Sequence, residues 1–231
     1  MQTLNTPLIT IVTVVKNAEA CLEETIKNVL SLNYKETDYV IVDGKSTDNT
    51  LDIIKTYDSQ ITTWISEPDN GLYDAMNKAW EIAREDSSLL FLGAGDKIVN
   101  MPSRLSCLAN GHVICGRVRL GERGIFKSRA NFQLRFANTL HHQSLIVPKQ
   151  LHPDPPFNTA YRVYADFDFN QRLYKKGIPF VFDPSFLSDA DPGGISQTYS
   201  PESYRVSLKN YGIGWAMAAL IFYLYNKCRR L

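Results

Sequence analysis

Residues 39–50 read YVIVDGKSTDNT: an apolar run, Val40-Ile41-Val42, leads straight into Asp43 and Gly44 and then into a helix start at Ser46-Thr47-Asp48. A short β-branched run of this kind suits a strand buried on both faces of a parallel sheet. Ligands of open α/β sheets settle at the carboxyl ends of such strands. There Asp43 is an acceptor for a base N–H or a ribose hydroxyl, and Gly44 allows close approach of backbone to ligand. Ser46, Thr47 and Asp48 can cap the helix that follows. Taken alone, the segment reads equally well as an ordinary strand-to-helix loop.

The flanking sequence repeats the pattern. Leu8 to Val15 is a β-branched run, and from Asn17 to Leu32 the residues Ala18, Leu22, Ile26, Val29 and Leu30 recur at helical spacing, with Asn17 as candidate cap. Thr47 to Tyr57 offers an apolar face of Leu51, Ile53 and Ile54. Thr62 to Ile65 reads as a third strand, Leu72 to about Arg84 as a helix after the turn Glu67-Pro68-Asp69-Asn70-Gly71, and Leu89 to Leu92 as a fourth strand. This alternation predicts an α/β fold with a doubly wound, mostly parallel sheet flanked by helices. Beyond Asp96 the chain is more irregular, with short strands at Val113 to Cys115, Leu145 to Val147 and Phe180 to Phe182. One clear helix lies there, Tyr164 to Lys176, ended by Gly177.

Composition narrows the function. Twenty-five Lys and Arg against 24 acidic residues give a net charge of +1 over 231 residues, which supplies no global attraction for nucleic acid. The cysteines, Cys21, Cys107, Cys115 and Cys228, form no CxxC pair, which argues against a zinc site or disulfide scaffold and fits a reducing cytoplasm. The opening MQTLNTPLITIVTVV has no basic stretch ahead of its apolar run, so it is expected to be a buried strand and not an export signal. YGIGWAMAALIFYLY, Tyr211 to Tyr225, is uncharged and followed by Lys227, Arg229 and Arg230. At about 15 residues it is short of the ~20 needed to cross a bilayer. It is expected to lie at the inner face of the cytoplasmic membrane, with Trp215, Tyr223 and Tyr225 as anchors; packing on the protein or in a dimer is the alternative.

Four segments read together point further: ITIVTVVKNAEACLEETI, YVIVDGKSTDNTLDII, ISEPDNGLYDAMNKAWEIA and LLFLGAGDKI. In this order and spacing they resemble family 2 glycosyltransferases, inverting enzymes with a GT-A fold, of the bacterial colanic-acid, capsule or O-antigen type. The resemblance covers residues from about 8 to 196. It implies a nucleotide-sugar-binding half over 1–100, an acceptor-binding and catalytic half over 101–205, and a C-terminal apolar segment over 206–231. The donor implied is a nucleoside diphosphate sugar and the acceptor a glycan hydroxyl, lipid-linked.

Carried onto this chain, the resemblance implies that Thr13, Val15, Asn17 and Asp43 bind the base and ribose. Lys16 stands where family members usually carry an aromatic residue, so stacking on the base is weakened or supplied elsewhere, and Lys16 could instead approach a phosphate. Gly71, Asp74 and Asn77 match the loop and helix beside the diphosphate, although a plain turn and a first-turn charge explain Asp69 to Asp74 as well. Gly93-Ala94-Gly95-Asp96 sits where the family's DxD-type metal motif belongs, with Gly95 at the nucleotide sugar and Asp96 as ligand to Mg²⁺ or Mn²⁺; only that one carboxylate is present.

In YADFDFNQRLYKKG the match assigns the catalytic base to Asp166, against the alternative of a helix cap. Asp168 is the nearest second carboxylate. His142 and Gln143 resemble the family's His-Gln segment on the acceptor side, where His142 could touch diphosphate, metal or acceptor, or simply be satisfied by neighbours. Gly193 and Gly194 resemble a lid loop. Gln171-Arg172 without a following Trp departs from the QxxRW motif of processive synthases and favours single-sugar addition. A non-catalytic nucleotide-sugar-binding protein is the rival reading; a dinucleotide-dependent oxidoreductase is disfavoured because no GxGxxG follows the first strand.

Overall fold

A computed structural model of the chain describes residues 8–191 and 202–228, the side chains at 226 and 227 excepted. The predicted first strand is β1, Ile9–Val15, and every one of its seven residues is buried. β-branched side chains alternate across it: Val12 and Val14 enter one apolar cluster, while Ile9, Ile11 and Val15 enter another on the opposite face. A strand covered on both faces in this way belongs at the centre of a sheet. Each such Val or Ile stabilises the fold by roughly 1.5–3 kcal/mol through burial.

The elements that follow are α1 (Leu22–Leu30), β2 (Thr37–Asp43), α2 (Thr50–Thr56), β3 (Thr63–Ser66), α3 (Leu72–Ile82) and β4 (Ser88–Gly93). β1 pairs in parallel with both β2 and β4, and β2 in parallel with β3. Leu22, Ile26 and Val29 of α1 and Ile54 of α2 cover one face of this sheet. Ala75, Met76 and Ala79 of α3 cover the other. The helix expected from Asn17 starts later, at Leu22, because Asn17 has a left-handed φ of 51° and its side chain bonds to the neighbouring loop instead.

The irregular half contributes β5 (Lys97–Asn100), β6 (Val113–Arg119), β7 (Ile125–Lys127), β8 (Leu145–Pro148), α4 (Ala165–Lys175) and β9 (Phe180–Asp189). It extends the same sheet in the order β3-β2-β1-β4-β8-β6-β9-β5, with β7 beside β6. β8 runs antiparallel to β4 and to β6, so the complete sheet is mixed. β5 and β7 have no apolar signature of their own; pairing with β9 and β6 makes them strands. α4 lies on the α3 face, burying Phe167, Phe169 and Leu173, and ends at Gly177, whose φ of 73° allows Ile178 N to donate to Leu173 O in the terminating turn.

α5 (Glu202–Tyr211) and α6 (Ile213–Cys228) close the chain, hinged at Gly212 with a φ of 87°. α6 turns Ala216 and Ala219 inward while Ile213, Met217, Ile221, Leu224 and Tyr225 stay exposed along one outer stripe. No described helix is long and apolar enough to cross a membrane.

Candidate active site

β1 and β4 both end at a cavity of about 410 Å³. Val15, Lys16 and Asn17 line it from the end of β1, and Gly93, Ala94 and Asp96 from the end of β4. Asn17 is pinned there by paired bonds: its Oδ1 accepts from Thr47 N at 2.8 Å and its own N donates to Ser46 Oγ at 2.8 Å. Lys16 is half exposed, with Nζ 3.9 Å from Asp69.

Asp96 is 3% exposed, and both of its oxygens accept backbone N–H bonds, from Gly93 at 2.7 Å and Asp191 at 2.8 Å. Burial pushes its carboxyl up from the usual aspartate range, and these two N–H donors oppose the shift. Asp191, exposed, lines the same cavity. Gly95, at φ 96°, is required where it stands: a Cβ there would meet the Asp191 side chain at 3.0 Å. Its own N–H is occupied by Thr25 Oγ1 at 2.8 Å.

Asp166 enters from the first turn of α4. Its Oδ1 accepts from Phe167 N at 2.7 Å and shares the Tyr73 hydroxyl, 3.2 Å away, with Val163 O, which lies nearer at 2.8 Å, and Oδ2 accepts from Asn138 Nδ2 at 3.1 Å. His142 Nδ1 lies 3.8 Å from Oδ2. The N-cap of α4 is Tyr164; Asp166, the second helical residue, satisfies the first-turn N–H of Phe167 and also faces the cavity. His142 and Gln143 line the cavity as well, Gln143 being fixed through its carbonyl, which accepts from Ser188 Oγ. The adjacent His141 is half-buried, and desolvation pushes its imidazole down to about 4, so it is neutral at physiological pH.

Several expected site residues point elsewhere. Asp43 is fully buried; its carboxylate accepts from Ser46 N and Oγ and from Ser66 Oγ at 2.6 Å, so it organises the β2 loop and does not line the cavity. Gly44 makes room for the Asp69 carboxylate and not for a ligand, since a Cβ would lie 2.0 Å from an Asp69 oxygen. Thr13, on the same face of β1 as Val15 but deeper, is bonded to the Tyr39 hydroxyl at 3.0 Å. Asn77 faces the protein: Nδ2 donates to Phe157 O at 2.8 Å and Oδ1 accepts from Phe157 N at 2.9 Å.

Asp168 has no exposed surface and is held by Arg172 Nε at 2.9 Å and Asn210 Nδ2 at 3.0 Å, away from any acceptor. Gly71 and Asp74 line an adjoining cavity of about 420 Å³ that shares Leu72, Tyr73 and Val163 with the first. There Asp74 Oδ2 accepts from Asn70 N at 2.9 Å. Gly193 and Gly194 lie outside the described residues.

Tyr73 and Asn138 line the site without a sequence signal of their own, whereas Asp191 belongs to the same DADPGGIS segment as Gly193 and Gly194. Tyr73 sits inside the quoted NGLYDAM segment, where its aromatic character at a buried helix position reads only as core. Asn138, in an irregular stretch, carries no local signal.

Three carboxylates, Asp96, Asp166 and Asp191, thus line one cavity at the strand ends. Residues 10–98 match the sequence profile of glycosyl transferase family 2. The PGL/p-HBAD biosynthesis glycosyltransferase of Mycobacterium tuberculosis (strain ATCC 25177 / H37Ra) is 30% identical over 183 residues, 73% of this chain and 70% of that protein. The Bacillus subtilis (strain 168) protein TuaG, provisionally named a teichuronic acid biosynthesis glycosyltransferase, is 35% identical over 94 residues, 39% of this chain and 37% of the relative.

Among solved structures, S. aureus TarS 1-349 in complex with UDP-GlcNAc superposes with a TM-score of 0.64 at 17% identity, over 86% of this chain and 64% of that one. The mannosyltransferase PcManGT from Pyrobaculum calidifontis, in complex with GDP-Man and Mn2+, gives 0.65 at 16% identity, over 93% and 68%. The chain spans 39% of the longer TarS chain in another structure.

Proposed function

Since this chain belongs to glycosyl transferase family 2, we propose that it moves a single sugar, with inversion, from a nucleoside diphosphate sugar to a hydroxyl of a lipid-linked glycan in bacterial surface polysaccharide assembly. The observation that carries this reading is Asp166, a carboxylate oriented by Tyr73 and Asn138 at the wall of a cavity formed by the ends of β1 and β4. One relative is named for PGL/p-HBAD biosynthesis and another provisionally for teichuronic acid biosynthesis, and the structural neighbours hold UDP-GlcNAc or GDP-Man, which supports a sugar nucleotide as donor and a surface glycan as product.

The chemistry follows from placement. In this reading the donor occupies the 410 Å³ cavity lined by Val15, Lys16, Asn17, Asp96 and Asp191, its base toward the end of β1 and its diphosphate toward Asp96 and Lys16. An acceptor hydroxyl held beside Asp166 attacks the anomeric carbon from the face opposite the diphosphate, giving up its proton to the Asp166 carboxylate as the C1–O bond breaks and the electron pair leaves with the diphosphate. A base so positioned contributes roughly 10²–10⁴-fold. Tyr73 and Asn138 keep Asp166 in one rotamer, and Lys16 offers the leaving group a mobile positive charge.

Among the described residues no three His, Cys, Asp or Glu side chains gather as a metal site, and Asp96 and Asp191 by themselves fit a hard divalent cation only in part. Their donors are all oxygen, as Mg²⁺ and Mn²⁺ prefer, but the Asp96 oxygens already accept N–H bonds, so diphosphate and water must complete the shell. Such an ion would offset charge developing on the leaving diphosphate. Membrane attachment at the cytoplasmic face belongs to the same proposal: the outer stripe of α6, Ile213 to Tyr225, is apolar and precedes Lys227, Arg229 and Arg230 in sequence, the order that suits an interfacial helix at anionic lipid.

The test is thermal melting of the protein with UDP-, GDP-, CMP- and dTDP-linked sugars, each with and without Mn²⁺. Ligand at 100 times its Kd adds about 2.7 kcal/mol, a rise of roughly 5–10 °C for a chain of this size. A rise with one nucleotide class supports the reading; no rise with any refutes it.

A further inference from the structure

A second cavity, of about 320 Å³, opens on the other side of Asp166. Asp166, His142 and Val163 line both it and the donor cavity, so the carboxylate forms part of the wall between the two. Its lining mixes polar groups, Asp166, Asn138, His142 and Arg123 among them, with the aromatic rings of Phe126, Phe136, Phe222 and Tyr223. Phe126 of β7 stands edge-on to His141, with centroids 4.5 Å apart. Phe136 is edge-on to Phe222 of α6 at 5.8 Å and stacked on Trp215 at 6.1 Å, and Tyr223 adds a further ring. The C-terminal helix therefore builds a wall of the cavity, joined to the catalytic body through an aromatic cluster.

Aromatic rings beside a few polar groups, at the lower end of the ~300–1,000 Å³ range, are the features of a small-molecule subsite. Such a mixed lining suits a sugar ring, whose C–H faces are apolar and whose hydroxyls are not. The apolar surface does not stop at the mouth. Beyond Phe222 it continues onto Ile221, Leu224 and Tyr225, which are 63%, 49% and 57% exposed. This is the stripe assigned above to the lipid surface, so a sugar carried on a membrane-inserted apolar chain would meet it on the way into the cavity, whereas a purely polar acceptor would not.

We propose that this cavity is the acceptor subsite and that α6 selects acceptors in which the reacting sugar is attached to an apolar chain, the ring lying over Asp166 and the chain leaving along α6. The proposal rests on the glycosyltransferase reading above. The acceptor hydroxyl oxygen forms the new bond to the donor's anomeric carbon, its proton goes to Asp166, and the C1–O bond to diphosphate breaks with its electron pair on the leaving group. Phe222 and Tyr223 are specificity residues in this scheme and take no part in the bond changes.

The experiment compares hexyl with methyl glycosides of glucose, galactose, mannose, rhamnose and N-acetylglucosamine. Binding to the donor-loaded protein is followed by saturation-transfer NMR and transfer by kcat/KM, using the full chain and the nucleotide sugar that raises its melting temperature. At least one hexyl glycoside is expected to be preferred over its methyl counterpart by roughly 10–100-fold, from burial of several methylenes. Phe222→Ala is expected to remove most of that preference, and Phe222→Leu, which keeps an apolar side chain there, to retain most of it.

Equal use of hexyl and methyl glycosides, a preference that Phe222→Ala leaves intact while donor still protects that variant, or a hexyl series that neither binds nor accepts, overturns the proposal. Donor protection of the wild type separates the two readings. A protein that no nucleotide sugar protects refutes the glycosyltransferase reading, whereas one that binds donor but ignores the chain refutes the acceptor inference alone.

Discussion

Asn77→Ala distinguishes a ligand contact from a structural clamp. Asn77 makes two bonds to the Phe157 backbone, at 2.8 and 2.9 Å, and Phe157 is 2% exposed. Its ring packs on Tyr73, Phe91 and Phe169 at centroid distances of 5.7, 5.4 and 5.0 Å. Alanine removes both bonds and leaves a buried N–H and C=O without that partner. Two neutral bonds at about 1 kcal/mol each, with a further penalty for unpaired groups, give a loss of roughly 2–4 kcal/mol. For a domain of this size that lowers the melting temperature by about 5–15 °C. The assay is urea and thermal unfolding by circular dichroism, paired with titration of the donor. Because the clamp stands outside the donor cavity, donor affinity of the folded variant should change no more than about twofold. Unchanged stability with affinity weakened by tenfold or more would refute the clamp and restore Asn77 as a ligand contact.

Gly116→Ala should also destabilise, by roughly 1–3 kcal/mol in urea titration, because a Cβ there would sit 2.6 Å from the Phe186 carbonyl at the irregularity between β6 and β9. His152 provides a pH signature: it is stacked on Trp80 and edge-on to Phe169, and burial pushes its imidazole down to about 3. The native state then binds fewer protons than the unfolded one between about pH 3 and 6.5, so its stability is full above that window and is lost as pH falls. From pH 7.5 to 4.5 the loss is about 3 kcal/mol for this residue, and His152→Phe should flatten it in pH-dependent denaturation; an unaltered slope would contradict the assignment. Wild-type protein should cosediment with phosphatidylglycerol-rich vesicles at low salt, and Ile221→Glu, on the exposed stripe of α6, should not; equal cosedimentation of the two would rule out this stripe as the membrane face.

Much of the α/β half was legible because local sequence and global burial agree there. β1 is β-branched throughout and β4 is apolar from Leu89 to Leu92, the composition that suits a strand covered on both faces. β5 and β7 were not legible, since each is four residues or fewer and is defined by partners far along the chain. Motif spacing located the site's neighbourhood: Val15, Asn17, Asp96, His142 and Asp166 all line one cavity. It could not tell where a polar side chain points. Thr13 and Val15 share a face of β1, yet only Val15 is at the strand end, while Thr13 is beneath the Tyr39 hydroxyl. Asp166 and Asp168 lie two apart at the start of α4, and that separation turns one toward the cavity and the other onto Arg172.

In this mechanism Asp166 removes the acceptor's proton while taking no part in holding the donor. Transfer and donor affinity should be measured side by side for wild type and Asp166→Asn, which keeps an oxygen to accept from Tyr73 and Phe167, with the protecting nucleotide sugar and a divalent ion. Donor binding is expected to stay within about twofold of wild type and transfer to slow by roughly 10²–10⁴-fold. Transfer by Asp166→Asn at the wild-type rate would contradict this mechanism.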